Sequence, residues 1–310
     1  MSLCITGAAG FIGSHLCELA LDRGIRVIGI DCFLEASYNA STKKRNISKF
    51  REHPLFEFHE IDMSSSLFPK VVKDCTQVVH LAAMPGLMKS WQEPSLYVRH
   101  NIQATINLIE SLEVNKIENF ILGSTSSVYG LHATGQTNSP LEPISPYGAT
   151  KLSAELIAQS YMRSSGLPLQ ILRFFSVYGP RQRPDMAYDI FIRKVIHSEE
   201  ITVFGDGEQS RSNTYVLDIC NAIFKSLEFG EVGNILNISG IESISINEAL
   251  KNIEDLLGKK ARLSYKPTRQ GDQRETHGVS LEAWKSIKYF PQTDFRTGLN
   301  NQINAILEQS

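Results

Sequence analysis

Short apolar runs recur along the chain at Ser2–Thr6, Arg26–Ile30, Leu55–His59, Gln77–Leu81, Asn119–Leu122 and Pro168–Phe174. Between most of them the apolar positions move to helical spacing, as where Ile12, Leu16, Leu19 and Ala20 share one face, or Leu152, Leu156 and Ile157 in the helix expected from about Ser145 to Gly166. Alternation of strand and helix predicts an α/β chain built on a doubly wound parallel sheet covered on both faces. Past Phe175 the pattern loosens. A Pro/Arg-rich loop, Gly179–Pro184, leads into a short helix and the strand Ile201–Phe204. Ile246, Ala249, Leu250, Ile253, Leu256 and Leu257 then mark an amphipathic helix, and Ala261–Lys266 another strand. The expected organisation is a dinucleotide-binding domain over 1–175 and a smaller α/β substrate domain over 176–310, parts of which return to pack on the first. The ligand cleft is expected between them.

Composition narrows the function without naming it. At 310 residues, with 42% hydrophobic and 21% charged positions, the chain fits one large and one smaller globular domain. A net charge of −2 supplies no field for nucleic acid or an anionic membrane. No segment approaches the about 20 apolar residues of a membrane span, and the N-terminus enters a strand with no charged leader, so a soluble cytoplasmic protein is expected. Cys4, Cys17, Cys32, Cys75 and Cys220 are scattered, without metal-ligand spacing, and read as small core residues; no metal is expected.

The chemistry-bearing residues stand at strand ends and on one helix. Thr6-Gly7-Ala8-Ala9-Gly10-Phe11-Ile12-Gly13 joins the first strand to the first helix. Glycines belong there because the chain must turn tightly and bring backbone N–H groups and a helix N-terminus against a pyrophosphate. The second strand runs into Asp31, 18 residues beyond Gly13, close to where a ribose-binding acid belongs. A carboxylate there accepts from a free 2′-hydroxyl and repels a 2′-phosphate, so NAD is expected over NADP. The tract Lys43-Lys44-Arg45 reads as a solvated run in a Ser/Asn-rich loop. Tyr147 and Lys151, four apart on a helix, share a face one turn apart. A phenol acts as base near neutral pH only beside positive charge, which Lys151 and an oxidised nicotinamide supply. Ser124, Thr125, Ser126 and Ser127 begin where the Asn119–Leu122 strand ends, and their hydroxyls are expected to point into the cleft.

These segments carry a resemblance. TGAAGFIGSHL, VVHLAAMPG, STSSVYG, SPYGATK, RFFSVYGPRQRPDMA and ITVFGDGEQSR resemble the NAD-dependent epimerase/dehydratase family of nucleotide-sugar enzymes, extended short-chain dehydrogenase/reductases, from Ser2 to about Thr297. RFFSVYGPRQRPDMA is most like UDP-glucuronate 4-epimerases. The likeness implies a Rossmann fold and a cofactor site comprising Gly7, Gly10, Phe11, Ile12, Gly13 and Asp31, with Asp62 as the adenine contact beside Met63. Backbone at Leu81, Ala82 and Ala83, then Asn101, Tyr147 and Lys151, complete that site. Thr125, Tyr147 and Lys151 are the implied catalytic set. Ser176, Val203, Arg211 and Arg274 are implied at the uridine and diphosphate of a UDP-sugar, with Ser126, Ser127 and Arg183 at its sugar. Guanidinium groups suit a diphosphate. A homodimer through the helices near Pro94–Asn115 and Ser145–Gly166 is implied as well.

The hydroxyl triplet separates family members. Dehydratases carry Thr-Asp-Glu there and UDP-glucuronate decarboxylases Thr-Ser-Glu; this chain has Thr125-Ser126-Ser127. With no carboxylate to drive elimination, oxidation and re-reduction at one carbon is favoured, and that is 4-epimerisation through a transient 4-keto sugar. The competing readings are a dehydratase or decarboxylase, and a protein that binds NAD or a nucleotide sugar without turnover. Met88 departs from the pattern, standing where similar glucuronate epimerases carry arginine, and so do Ser212-Asn213 and Leu217.

Overall fold

The computed structural model describes residues 2–65, 72, 75–131, 133, 136–268, 275–278 and 281–309. A seven-stranded, wholly parallel sheet organises the chain. Its members are β1 (Ser2–Thr6), β2 (Arg26–Asp31), β3 (Phe56–Glu60), β4 (Gln77–His80), β5 (Asn119–Thr125), β6 (Leu169–Phe174) and, last in sequence, the strand Ile235–Ile238. The spatial order is Ile235–Ile238, β6, β5, β4, β1, β2, β3. β1 pairs with β2 on one side, Thr6 opposite Ile30, and with β4 on the other, Thr6 opposite His80. The direction of winding reverses there, opening a crevice beyond the strands' carboxyl ends.

Strands buried on both faces read as continuous apolar runs, and β1 has no exposed position. One face packs Leu3, Ile5 and Val79 against Leu16 and Ala20 of helix α1 (Phe11–Asp22) and against Ile219 and Ile223 of the helix Val216–Phe229. The other packs Cys4, Val78, Phe120 and Leu122 against Leu108, Ile109 and Ala158. The sequence past Phe175 thus divides. Val216–Phe229 and Ile235–Ile238 complete the parallel sheet and its cover. The rest forms a smaller unit whose core joins Ile192, Val195, Ile201 and Val203 to Leu250, Ile253, Leu299 and Ile303.

That smaller unit carries three short sheets. Glu200–Phe204 pairs parallel with Arg262–Lys266, Ser210–Ser212 lies between Ser243–Ser245 and Glu275–Thr276, and Val177–Tyr178 pairs with Thr214–Tyr215. The helix Ile246–Leu257 opens with a reciprocal Ser245–Glu248 capping box and closes on Gly258 in the left-handed conformation, so its apolar stripe is set squarely against the core.

Candidate active site

The glycine turn is shaped by close approach. Gly7 holds φ at +70°, and a Cβ on it would lie 2.9 Å from the Ala82 nitrogen at the end of β4. At Gly13 a Cβ would collide with the Gly7 carbonyl oxygen. Gly7 and Ala8 donate to the Ile30 carbonyl at 2.7 and 3.1 Å, tying the turn to β2. Helix α1 then starts at Phe11 with its N-terminus toward the crevice. Gly7, Gly10, Phe11, Ile12 and Gly13 line one cleft together with Leu81, Ala82 and Ala83. The missing side chains and the helix terminus fit a dinucleotide pyrophosphate.

Asp31, Asp62 and Met63 line the same cleft. Asp31 is buried and accepts from the backbone N–H groups of Ala9 at 3.2 Å and Phe33 at 2.8 Å. Burial raises its pKa, against the Lys43 ammonium and those N–H groups. Burial also raises Asp62, but hydrogen bonds from Ser64 and the charges of His100 and Arg99 outweigh it and hold the carboxyl below the usual range.

Lys43 corrects the sequence reading. It lies in a helix, α2 (Ala40–Ile47), not a loop, and its side chain is buried, with Nζ donating to the Leu34 carbonyl at 2.9 Å on the cleft wall. Lys43, Asn46 and Ile47 form the buried face of α2, the i, i+3, i+4 spacing that a helical reading of the tract would have exposed. Tyr38, with a buried hydroxyl, lines the same wall and went unnoticed in the sequence.

The helix Pro146–Ser165 carries the acid/base pair. Ser145 caps it by accepting from Gly148 N at 3.1 Å, Pro146 occupies the first turn, and Gly166 ends it at φ +75°. Gly148 lets the helix start lie against Ser127, whose carbonyl oxygen a Cβ there would meet at 2.6 Å. Tyr147 and Lys151 both face the cleft. Burial raises the Tyr147 pKa above the ordinary phenol value, against the opposing influence of the Thr125 hydroxyl and the nearby Arg183 cation. Lys151 donates from Nζ to the Gly123 carbonyl at 2.7 Å. Burial lowers its pKa to about 8, and the charge of Glu155 opposes that.

The hydroxyl cluster is split. Thr125 ends β5 and caps the short turn Ser126–Tyr129, accepting from Ser127 N and donating to Ser127 Oγ, both at 3.2 Å. Ser126 and Ser127 are half-buried beside it. Ser124 reaches the other way, its Oγ donating to Glu155. Asn101 stands behind the cleft wall: its amide clasps both backbone groups of Met84, at 2.6 and 3.1 Å, and donates to Thr150 Oγ1 at 3.0 Å.

Ser176, Val203 and Arg211 come together in a second cavity, beneath the Glu200–Phe204 strand. Arg183 lines the cofactor cleft, and its ion-pair partner Asp185 lines this second cavity, so the pair marks the seam between them. Arg274 lies outside the described residues. Met88 is 61% exposed on the helix Leu87–Gln92, and Lys89 donates to the Ala36 carbonyl at 2.6 Å.

Comparison with known proteins agrees with this geometry. Residues 3–239 match the model of the NAD dependent epimerase/dehydratase family. Among curated relatives, a UDP-glucose epimerase of Bacillus subtilis described as uncharacterized is 39% identical over 98% of this chain and 97% of its own length. The UDP-glucuronate 4-epimerase of Thermodesulfobacterium geofontis is 34% identical over 97% of this chain and 94% of its own. The crystal structure of UDP-glucuronic acid 4-epimerase from Bacillus cereus, in complex with UDP-glucuronic acid and NAD, superposes with a TM-score of 0.94 over 100% of both chains at 35% identity. With a matching family model over most of its length and the glycine cradle, Tyr147 and Lys151 gathered on one cleft, the chain belongs to the NAD-dependent epimerase/dehydratase family.

Proposed function

We infer that this chain is an NAD-dependent UDP-sugar 4-epimerase acting on UDP-glucuronate or a close relative. The observation that carries the reading is that Tyr147 and Lys151 line one dinucleotide cleft beside Thr125 at the end of β5, with serines and no carboxylate at the two positions after Thr125. NAD, when bound, supplies the acceptor and later the donor of one hydride. Gly7, Gly10 and Gly13 would receive its pyrophosphate, Asp31 the adenosine ribose, Asp62 and Met63 the adenine, and Lys151 the nicotinamide ribose.

Tyr147 takes the proton of the C4 hydroxyl as the C4–H bond gives up its hydride, and Thr125 hydrogen-bonds the same oxygen as it becomes a carbonyl. The positive charge of Lys151 and of Arg183 favours the phenolate that this step needs. The 4-keto sugar then presents its other face, the hydride returns to C4, and Tyr147 returns the proton with the centre inverted. Because the sugar must turn, the nucleotide half does the holding, and Ser176, Val203, Arg211 and Arg274 are the residues assigned to it. Exposed Val98 and Leu156, on the two helical segments proposed to pair, support a homodimer. Among the described residues no helix is long and apolar enough to cross a membrane, and the cytoplasm is the proposed compartment.

A second reading of the sugar has its own support. Met88 is apolar, Lys89 is engaged with the Ala36 carbonyl, and Arg183, whose charge acts on Tyr147, is already paired with Asp185, which suits a neutral UDP-hexose. Proton NMR of products from UDP-glucose, UDP-N-acetylglucosamine and UDP-glucuronate separates the two. A product of unchanged mass with inverted C4 supports the epimerase; loss of water or carbon dioxide removes it.

A further inference from the structure

We propose that Glu155 is a positioning residue for the reaction, the third member of a Tyr147–Lys151–Glu155 unit that docks the catalytic helix onto the end of β5. The inference rests on the reading of Tyr147 and Lys151 above. These residues stand at i, i+4 and i+8, so they occupy successive turns of one helix face. Consecutive residues of β5 meet that face: the Gly123 carbonyl accepts from Lys151, the Ser124 hydroxyl donates to Glu155, and Thr125, next along the strand, is the hydroxyl that acts on Tyr147. Each turn of the helix engages one residue of the strand end.

Glu155 has no solvent exposure, and its charge is balanced from β6. Arg173, itself 1% exposed, donates from Nε to Oε1 at 3.0 Å and from Nη2 to Oε2 at 2.6 Å. Its remaining arm donates to the Tyr129 hydroxyl at 2.8 Å and the Thr137 carbonyl at 3.2 Å, and Tyr129 donates on to Asn237 in the last strand. A buried ion pair is weak evidence of stability, since apolar residues often serve as well, so its siting calls for another reason. Ser124 and Arg173 stand opposite each other in the β5–β6 register, directly beside the catalytic Thr125.

The second consequence is electrostatic. Lys151 is buried, and the charged and titratable groups around it are Glu155 and Tyr147 on its own helix, His80 at the end of β4, and Arg173 behind Glu155 on β6. His80 is held neutral by burial and by Lys151, so Glu155 is the negative charge that keeps Lys151 an ammonium.

Glu155→Gln alone leaves Arg173 buried without its counter-charge and is expected to fold poorly. The double variant Glu155→Gln/Arg173→Met removes both charges with little change in volume. Lys151 titration is read in NAD-loaded protein carrying ε-13C lysine, its resonance assigned by loss in Lys151→Arg. In the double variant the Lys151 pKa is expected to fall by roughly one unit or more. Turnover should drop about tenfold as the reacting groups lose alignment, with KM for the UDP-sugar little changed. Ser124→Ala, which keeps both charges, should lower turnover and leave the Lys151 titration where it was. If Lys151 titrates at the native pH in the double variant and turnover is native-like, Glu155 is merely structural. Full activity in Lys151→Met would instead overturn the reading of the site beneath this inference.

Discussion

Arg183 and Asp185 form a two-pronged ion pair, Nε to Oδ1 and Nη2 to Oδ2, both at 2.9 Å, where the cofactor cleft meets the second cavity. One edge of the guanidinium is thereby committed and the other remains for a ligand. If the sugar is a uronate, its carboxylate meets that edge in charge-assisted hydrogen bonds worth about 1.5–3 kcal/mol each. Arg183→Ala should then lower kcat/KM for UDP-glucuronate about tenfold or more, and for a neutral UDP-hexose much less. Equal losses on both substrates, with UDP-glucose or UDP-N-acetylglucosamine the faster, would leave the general 4-epimerase reading and remove the uronate.

Tyr147 acts on charge that develops only during the reaction. Tyr147→Phe is therefore expected to abolish turnover while nucleotide-sugar affinity, measured calorimetrically, stays nearly native. A Phe variant with near-normal kcat would show that another group takes the proton.

Cofactor choice turns on Asp31 and the neighbouring Lys43. Asp31→Ala should weaken NAD binding and narrow the preference over NADP, since the ribose acceptor and its repulsion of phosphate disappear together. Lys43, whose ammonium stands at the Leu34 carbonyl within the field of Asp31, is then a cation suited to a 2′-phosphate, so Asp31→Ala/Lys43→Ala should bind NADP more weakly than Asp31→Ala alone. Fluorescence titration of both cofactors checks this, and unchanged discrimination in Asp31→Ala counts against Asp31 as selector.

His80 ties the site to acid stability. One ring nitrogen meets Thr6 Oγ1 at 2.7 Å and the other Thr105 Oγ1 at 2.9 Å, and burial, then Lys151, lower its pKa to about 3. Thr6 Oγ1 accepts from Leu81 N and Ala82 N, so His80 helps to hold the cofactor-facing backbone. Its folded pKa lies below the unfolded value of about 6.5, so the unfolded chain binds the proton first and stability falls as pH drops from about 6.5 toward 3. Urea denaturation of His80→Gln should show a lower stability at pH 7 but a shallower decline to pH 5 than the native chain. Parallel declines would assign the acid loss elsewhere.

Much of this was legible because the signals are local. The Gly7–Gly13 turn, Asp31 at its strand end and the Tyr147–Lys151 spacing each declare themselves within a few residues, and the six strands read as apolar runs end within a few residues of their observed limits. What escaped depends on distant partners. Lys43 looks like surface charge until Asp31 and Leu34 are folded against it. The strand Ile235–Ile238 is four residues long and acquires its meaning from pairing with β6. Asn101 sits in a π-helical turn, Val98–Gln103, whose backbone no periodicity announces, and its amide serves Met84 and Thr150 rather than facing the cleft. Glu155 resembles an ordinary helix glutamate until Arg173 is brought beneath it.

In the proposed reaction one hydride leaves C4 of the sugar and returns to the same carbon from the other side. It is tested by following UDP-sugar deuterated at C4 through turnover by NMR and mass spectrometry. The expected result is a C4-inverted product of unchanged mass that keeps its deuterium, with no label appearing in solvent. Product lacking water or carbon dioxide, or deuterium lost from C4 to the solvent, would contradict the account.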